Sequence, residues 1–120
     1  MLGNLIMQKI GNDPNRLAEL SDGELQVVEA AQHQAGCILA TRLYQRVDRD
    51  HVRAERLLQK ALAMPWQKVV RRAQKAKATI DNGRNASPSG LAALLVWGRE
   101  EHNHIDAEIA RRDAQKATIQ

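Results

Sequence analysis

SDGELQVVEAAQHQAGCILATRLYQRVDRDHVRAERLLQKALAM, from Ser21 to Met64, decides the fold. Ser21 and Glu24 form an S-x-x-E capping box, because the serine oxygen can accept an orphan N–H while the glutamate reaches back to the cap. Leu25, Val28, Ala31, Ala35, Ile38, Leu39 and Leu43 then recur at steps of three and four, the spacing of one helical face. Val47, Val52, Leu58 and Leu62 carry the apolar content onward, and no Gly or Pro interrupts Cys37 to Met64. Either one helix of about 40 residues results, or the chain breaks at Asp48–Asp50, where DRD offers an aspartate N-cap. The cap favours the break.

The segments on either side extend the same pattern. Upstream, Leu2, Leu5, Ile6, Lys9 and Ile10 predict a short first helix, which GNDPN (Gly11 to Asn15) stops with turn formers. Downstream, Pro65 suits the first helical position and Asn82–Gly83 a left-handed C-terminal stop. Between them Trp66, Val69, Val70, Ala73 and Ile80 give an apolar stripe. RNASPSG (Arg84 to Gly90) reads as a loop, with Ser87 as cap and Pro88 as the first residue of a last helix reaching Lys116. Its seam is Leu91, Leu94, Leu95, Trp97, Ile105 and Ile109, running past Gly98 and His102.

Composition agrees with helices throughout. The 120 residues include 18 Ala, 27 Leu, Ile or Val, three Trp or Tyr and no Phe, so the core is built from small and aliphatic groups. Gly and Pro total only 10, and β-branched residues do not alternate, which excludes a sandwich, a barrel or a Rossmann unit. The reading is a single all-α domain over residues 1–120, a compact bundle of four or five helices. In it the Ala-rich faces of the Ser21 and Pro88 helices pack closely. A homodimer is among the assemblies such a bundle allows. No apolar run approaches the roughly 18 residues that span a bilayer, and MLGNLIMQKI lacks the basic start, apolar run and cleavage site of a secretory signal. A cytoplasmic protein without a membrane partner is expected. The lone Cys37 excludes an internal disulfide, a CxxC redox pair and a thiolate zinc cage.

Charge is the informative signal. Residues 42–84 hold 12 Lys or Arg against 4 Asp or Glu, while the rest of the chain holds 6 against 10. Arg42, Arg46, Arg49, Arg53, Arg56 and Lys60 follow steps of 4, 3, 4, 3 and 4, which on a continuous helix lines all six along about 27 Å of axis. If the helix breaks, they form two shorter patches. Lys68, Arg71, Arg72 and Lys75 add to the same basic half. Clustered cations of this kind suit a phosphate backbone, DNA or RNA. The same ten residues also suit the surface of an acidic partner protein, or a solvated face. Only Tyr44, Trp66 and Trp97 are available for stacking, too few for single-strand readout by aromatic platforms.

LSDGELQVVEAA (Leu20 to Ala31) resembles the opening helix of the helix-turn-helix domains of LuxR-type regulators, and VDRDHVR (Val47 to Arg53) resembles the start of their recognition helix. The resemblance covers about a third of the chain. It departs at Tyr44, Gln45 and Arg46, which stand in place of a glycine-containing turn, and aligning the halves requires two extra residues. The resemblance implies that Arg49, His51, Arg53 and Arg56 face a major groove.

Catalytic signatures are weak. EEHNHIDAE (Glu100 to Glu108) places Glu101 and His104 at i, i+3 and His104 and Glu108 at i, i+4, a spacing able to hold a divalent ion. Ferritin-like sites, however, need a second E-x-x-H on a facing helix, and the chain has none. His102, Asn103 and His104 spell HNH without the strand-rich hairpin of that nuclease class. Ser21, Ser87 and Ser89 fall at helix caps rather than in a G-x-S-x-G elbow, and no phosphate-binding glycine loop can be written. The expectation is a non-enzymatic protein with no cofactor and no metal, regulatory or scaffolding in character. It would bind a nucleic-acid backbone through residues 42–84, alone or in a nucleoprotein complex. The alternative is a modulator or inhibitor whose basic face docks an acidic protein.

Overall fold

A computed structural model describes residues 14–119. Among these residues every regular element is helical: a 3-10 helix at Pro14–Glu19, then α1 (Asp22–Arg46), α2 (His51–Ala63), α3 (Trp66–Asp81) and α4 (Pro88–Ile119). The expected helix around Leu2 to Ile10 lies outside the described residues. None of the described helices is long and apolar enough to cross a membrane.

The boundaries follow the caps. Ser21 Oγ accepts from the Glu24 N–H at 3.1 Å, and the Glu24 carboxylate accepts from the Ser21 N–H at 3.0 Å, the reciprocal pair of a capping box. Between α1 and α2 the chain does break: Asp50 Oδ1 accepts from the N–H groups of Val52 and Arg53 at 3.0 and 3.2 Å. Ahead of it, Asp48 and Arg49 take the left-handed conformation, at φ 55 and 60. The N–H groups of Asp48 and Arg49 close onto the carbonyls of Gln45 and Tyr44, the bond pair of a Schellman stop built without glycine. At the end of α3 the same stop uses Gly83 at φ 75, with the N–H groups of Gly83 and Arg84 donating to the carbonyls of Ile80 and Thr79. Pro65 sits one residue earlier than expected, as the N-cap of α3 rather than its first residue, and its carbonyl accepts from Lys68 and Val69. Pro88 opens α4 as expected, with Ser87 Oγ accepting from Gly90 N–H at 3.1 Å. That helix continues three residues past Lys116.

The described residues form two compact units, residues 14–34 with 100–119, and residues 35–99. Both long helices, α1 and α4, contribute residues to each. In the first unit Leu17, Leu20, Leu25, Val28 and Ile105 form the buried core, with Val27 and Ile109 against it. Four helical segments of the second unit pack around Leu43, Val47, Ala61, Val69, Ala73, Ala76, Ala86 and the run Leu91–Val96. The start of α4 is buried on all sides, from Gly90 through Val96, so seven successive small or apolar residues there need no amphipathic period. Close helix packing occurs here, but not where the alanine count placed it. A Cβ on Gly90 would lie 3.2 Å from the Cβ of Ala76, so the short approach joins α3 to α4. On the Ser21 helix Ala30, Ala35 and Ala40 are exposed, as is Ile38 of its predicted stripe.

Candidate nucleic-acid interface

All ten basic residues singled out from the sequence belong to the 35–99 unit, and all ten are exposed. The break after α1 ends the single long row that a continuous helix would give. Arg42 and Arg46 lie on the last turns of α1 and Arg49 in the left-handed turn. On α2, the half-buried or buried Ala54, Leu57, Leu58 and Ala61 face the core, so Arg53, Arg56 and Lys60 share one flank. On α3, Val69, Ala73 and Ala76 are buried, and Lys68, Arg71, Arg72 and Lys75 cover one flank of that stripe. The fold also brings two of these patches together. Lys60 of α2, Arg72 of α3 and Ser89 in the first turn of α4 line one cleft with Leu57, Ala61 and Met64.

The two units carry opposite charge. Residues 35–99 hold 13 Lys and Arg against 4 Asp and Glu, a net +9, and the remainder holds 5 against 10, a net −5. Pairing differs as sharply. In the acidic unit every described Lys and Arg has a carboxylate partner: Arg16 with Glu19, Arg111 with Glu108, Arg112 with Asp22 and Glu108, and Lys116 with Asp22. Among the described residues of the basic unit only Arg53 has one, Asp48 at 3.8 Å with both side chains largely exposed. Two of the four acids there serve the helices themselves, Asp50 in its cap and Glu55 as acceptor for Gln59. Uncompensated like charges on neighbouring helical turns repel, and an anionic partner relieves that cost.

Apolar groups lie beside the cations. Val52 and Leu62 on the outer side of α2 and Trp66 at the start of α3 are 60, 53 and 46% exposed. The inward face of α2 is taken by Ala54, Leu57, Leu58 and Ala61, which leaves Val52 and Leu62 outside it.

The helix-turn-helix likeness does not carry into the fold, because α1 runs unbroken for 25 residues through Tyr44–Arg46, where that motif has its turn. The acid–imidazole stretch of α4 is likewise dispersed. Glu101 accepts from Gln32 at 3.0 Å, His104 stands 3.5 Å from Glu100, and Glu108 accepts from both Arg111 and Arg112. The Arg111 guanidinium, with that of Arg112 beside it, holds the Glu108 carboxyl down at about 2. Arg112 and then Lys116 likewise lower Asp22. Glu101, His104 and Glu108 therefore do not converge on one point. Comparison with protein families, curated proteins and solved structures gives no match for this chain.

Proposed function

We propose that the 35–99 unit binds the phosphate backbone of a nucleic acid, and that the protein works without catalysis as a small regulatory or scaffolding component, alone or within a nucleoprotein complex. The observation that carries this reading is the contrast in pairing: the described Lys and Arg of one unit are matched to carboxylates, and among those of the other only Arg53 is. Backbone binding needs Lys and Arg dense enough to displace condensed counterions, with no base-reading geometry. Arg42, Arg46, Arg49, Arg53, Arg56, Lys60, Lys68, Arg71, Arg72 and Lys75 supply that density. Purification at low salt without nuclease tests it, because the protein should carry nucleic acid, seen as excess nucleic-acid over protein absorbance. A protein that emerges clean and leaves labelled DNA and RNA unbound at low salt contradicts it.

A second reading rests on a separate observation. The exposed Val52, Leu62 and Trp66 would add apolar contact to the cations and suit an acidic protein partner. That complex would saturate at a fixed stoichiometry and would weaken when Leu62 or Trp66 is truncated, whereas backbone binding would not.

A further inference from the structure

In the other unit, α1 and α4 bring together four side chains that lie far apart in the sequence. Glu29 and His33 stand at i, i+4 on α1, and His102 and Asp106 stand at i, i+4 on α4, so each pair shares a face. His102 is the centre of the group. Its Nε2 lies 3.1 Å from Oε1 of Glu29 and its Nδ1 3.7 Å from Oδ2 of Asp106. The rings of His33 and His102 are 6.3 Å apart, centroid to centroid, and tilted by 41°. One ligand atom from each of Glu29, His102 and Asp106 falls within 4.8 Å of the other two.

We propose that Glu29, His102 and Asp106 bind a divalent transition-metal ion of the zinc class between α1 and α4, with a further coordination position open on the His33 side. A tetrahedral ion with bonds near 2.1 Å sets its ligand atoms about 3.5 Å apart, so rotation of side chains suffices to close this set. The ligand chemistry selects the ion. One imidazole nitrogen with two carboxylates suits zinc, cobalt or nickel, whereas calcium and magnesium take oxygen ligands throughout.

Charge and proximity both favour the site. Two carboxylates and a neutral imidazole balance a divalent cation, and the surrounding unit has a net charge of −5. His102 is only 28% exposed, with Glu29 against its Nε2 and Asp106 against its Nδ1, so both carboxylates already stand at the ring and one of them turns to the side of the coordinating nitrogen. Binding replaces any proton on the coordinating ring nitrogen, which is released to solvent. His33 is a near neighbour: two imidazoles on one tetrahedral zinc have centroids about 5 Å apart, within a rotamer change of the observed separation. An ion here would tie α1 to α4 within this unit, separately from the basic surface and independently of its function.

Titration of the full chain with Co2+, followed by displacement with Zn2+, tests the site through the visible absorption of four-coordinate cobalt. One Co2+ per chain is expected, with affinity reduced at least about ten-fold in Glu29→Gln, His102→Gln and Asp106→Asn. His51→Gln and His104→Gln should bind as the parent does. Glu29→Gln and Asp106→Asn are near-isosteric changes at partly exposed positions, and unchanged circular dichroism would show that the helices persist. The proposal is overturned if Co2+ uptake does not saturate, if it survives all three ligand substitutions, or if it is lost in His104→Gln.

Discussion

The guanidinium of Arg112 donates a 2.7 Å hydrogen bond to the carbonyl oxygen of Leu20, 92 residues earlier in the chain. The same group reaches the carbonyl of Leu17 at 3.2 Å, the Asp22 carboxylate at 2.8 Å and Glu108 at 2.9 Å. One planar fork thus satisfies the open end of the 3-10 helix and joins it to the starts of α1 and the last third of α4. Arg112→Met, which keeps the apolar stem, should destabilise the protein by about 2 kcal/mol, because the Leu17 and Leu20 carbonyls lose this donor and the largely buried Glu108 carboxylate is left with Arg111 alone. Arg112→Lys should recover little of this, since one ammonium cannot copy the fork. Urea denaturation of the three proteins gives the comparison.

Glu108 makes the fold acid-sensitive in a defined window. Its carboxyl is held at about 2 in the folded protein against an ordinary value of 4.5, so the unfolded chain binds the proton more readily. Stability from this group is therefore fully present above about pH 4.5 and is lost as pH falls toward 2. Glu108→Gln should flatten the dependence of stability on pH between those limits while lowering stability near neutrality. A Gln variant with an unchanged acid slope would contradict the assignment.

Truncation should report each core separately. Ile105 is 1% exposed in one unit and Leu95 6% in the other, so Ile105→Ala and Leu95→Ala should each cost on the order of 2 to 4 kcal/mol. Leu62→Ala, at a half-exposed position, should cost under about 0.5 kcal/mol. Chemical denaturation measures all three.

The reversal between α1 and α2 holds Arg49 in a conformation that glycine adopts without strain. Arg49→Gly should raise stability by up to about 1 kcal/mol through relief of the left-handed cost, yet weaken polyanion binding by removing one charge. Asp50→Ala should lower stability by about 1 kcal/mol, since two N–H groups at the start of α2 lose their acceptor. Thermal melts of the two variants should move in opposite directions.

Local chemistry made most element boundaries legible: the Ser21–Glu24 box, the Asp50 cap, the Asn82–Gly83 stop and the Ser87–Pro88 start are each encoded within four residues. The basic surface was legible for the same reason, because charge density needs no tertiary knowledge. What depends on chain segments meeting was not. The inward face of α2 goes to Leu57 and Leu58 and leaves Val52 and Leu62 outside, Ala76 of α3 meets Gly90, and Glu29 meets His102 across 73 residues. A periodic pattern names candidate faces but does not say which neighbour covers them.

Titration of the parent and of Arg71→Glu/Arg72→Glu with mixed-sequence DNA and RNA, at two or more salt concentrations, is the sharpest test of backbone binding by the 35–99 unit. Both substituted side chains are exposed, so the helices should remain folded while the field reverses. If the surface binds phosphates, log K falls linearly with log salt, by about 0.9 per phosphate neutralised on duplex DNA, and the double substitution lowers the slope by about 2. Absence of binding to either polymer at low salt, or equal binding and slope for parent and variant, would contradict it.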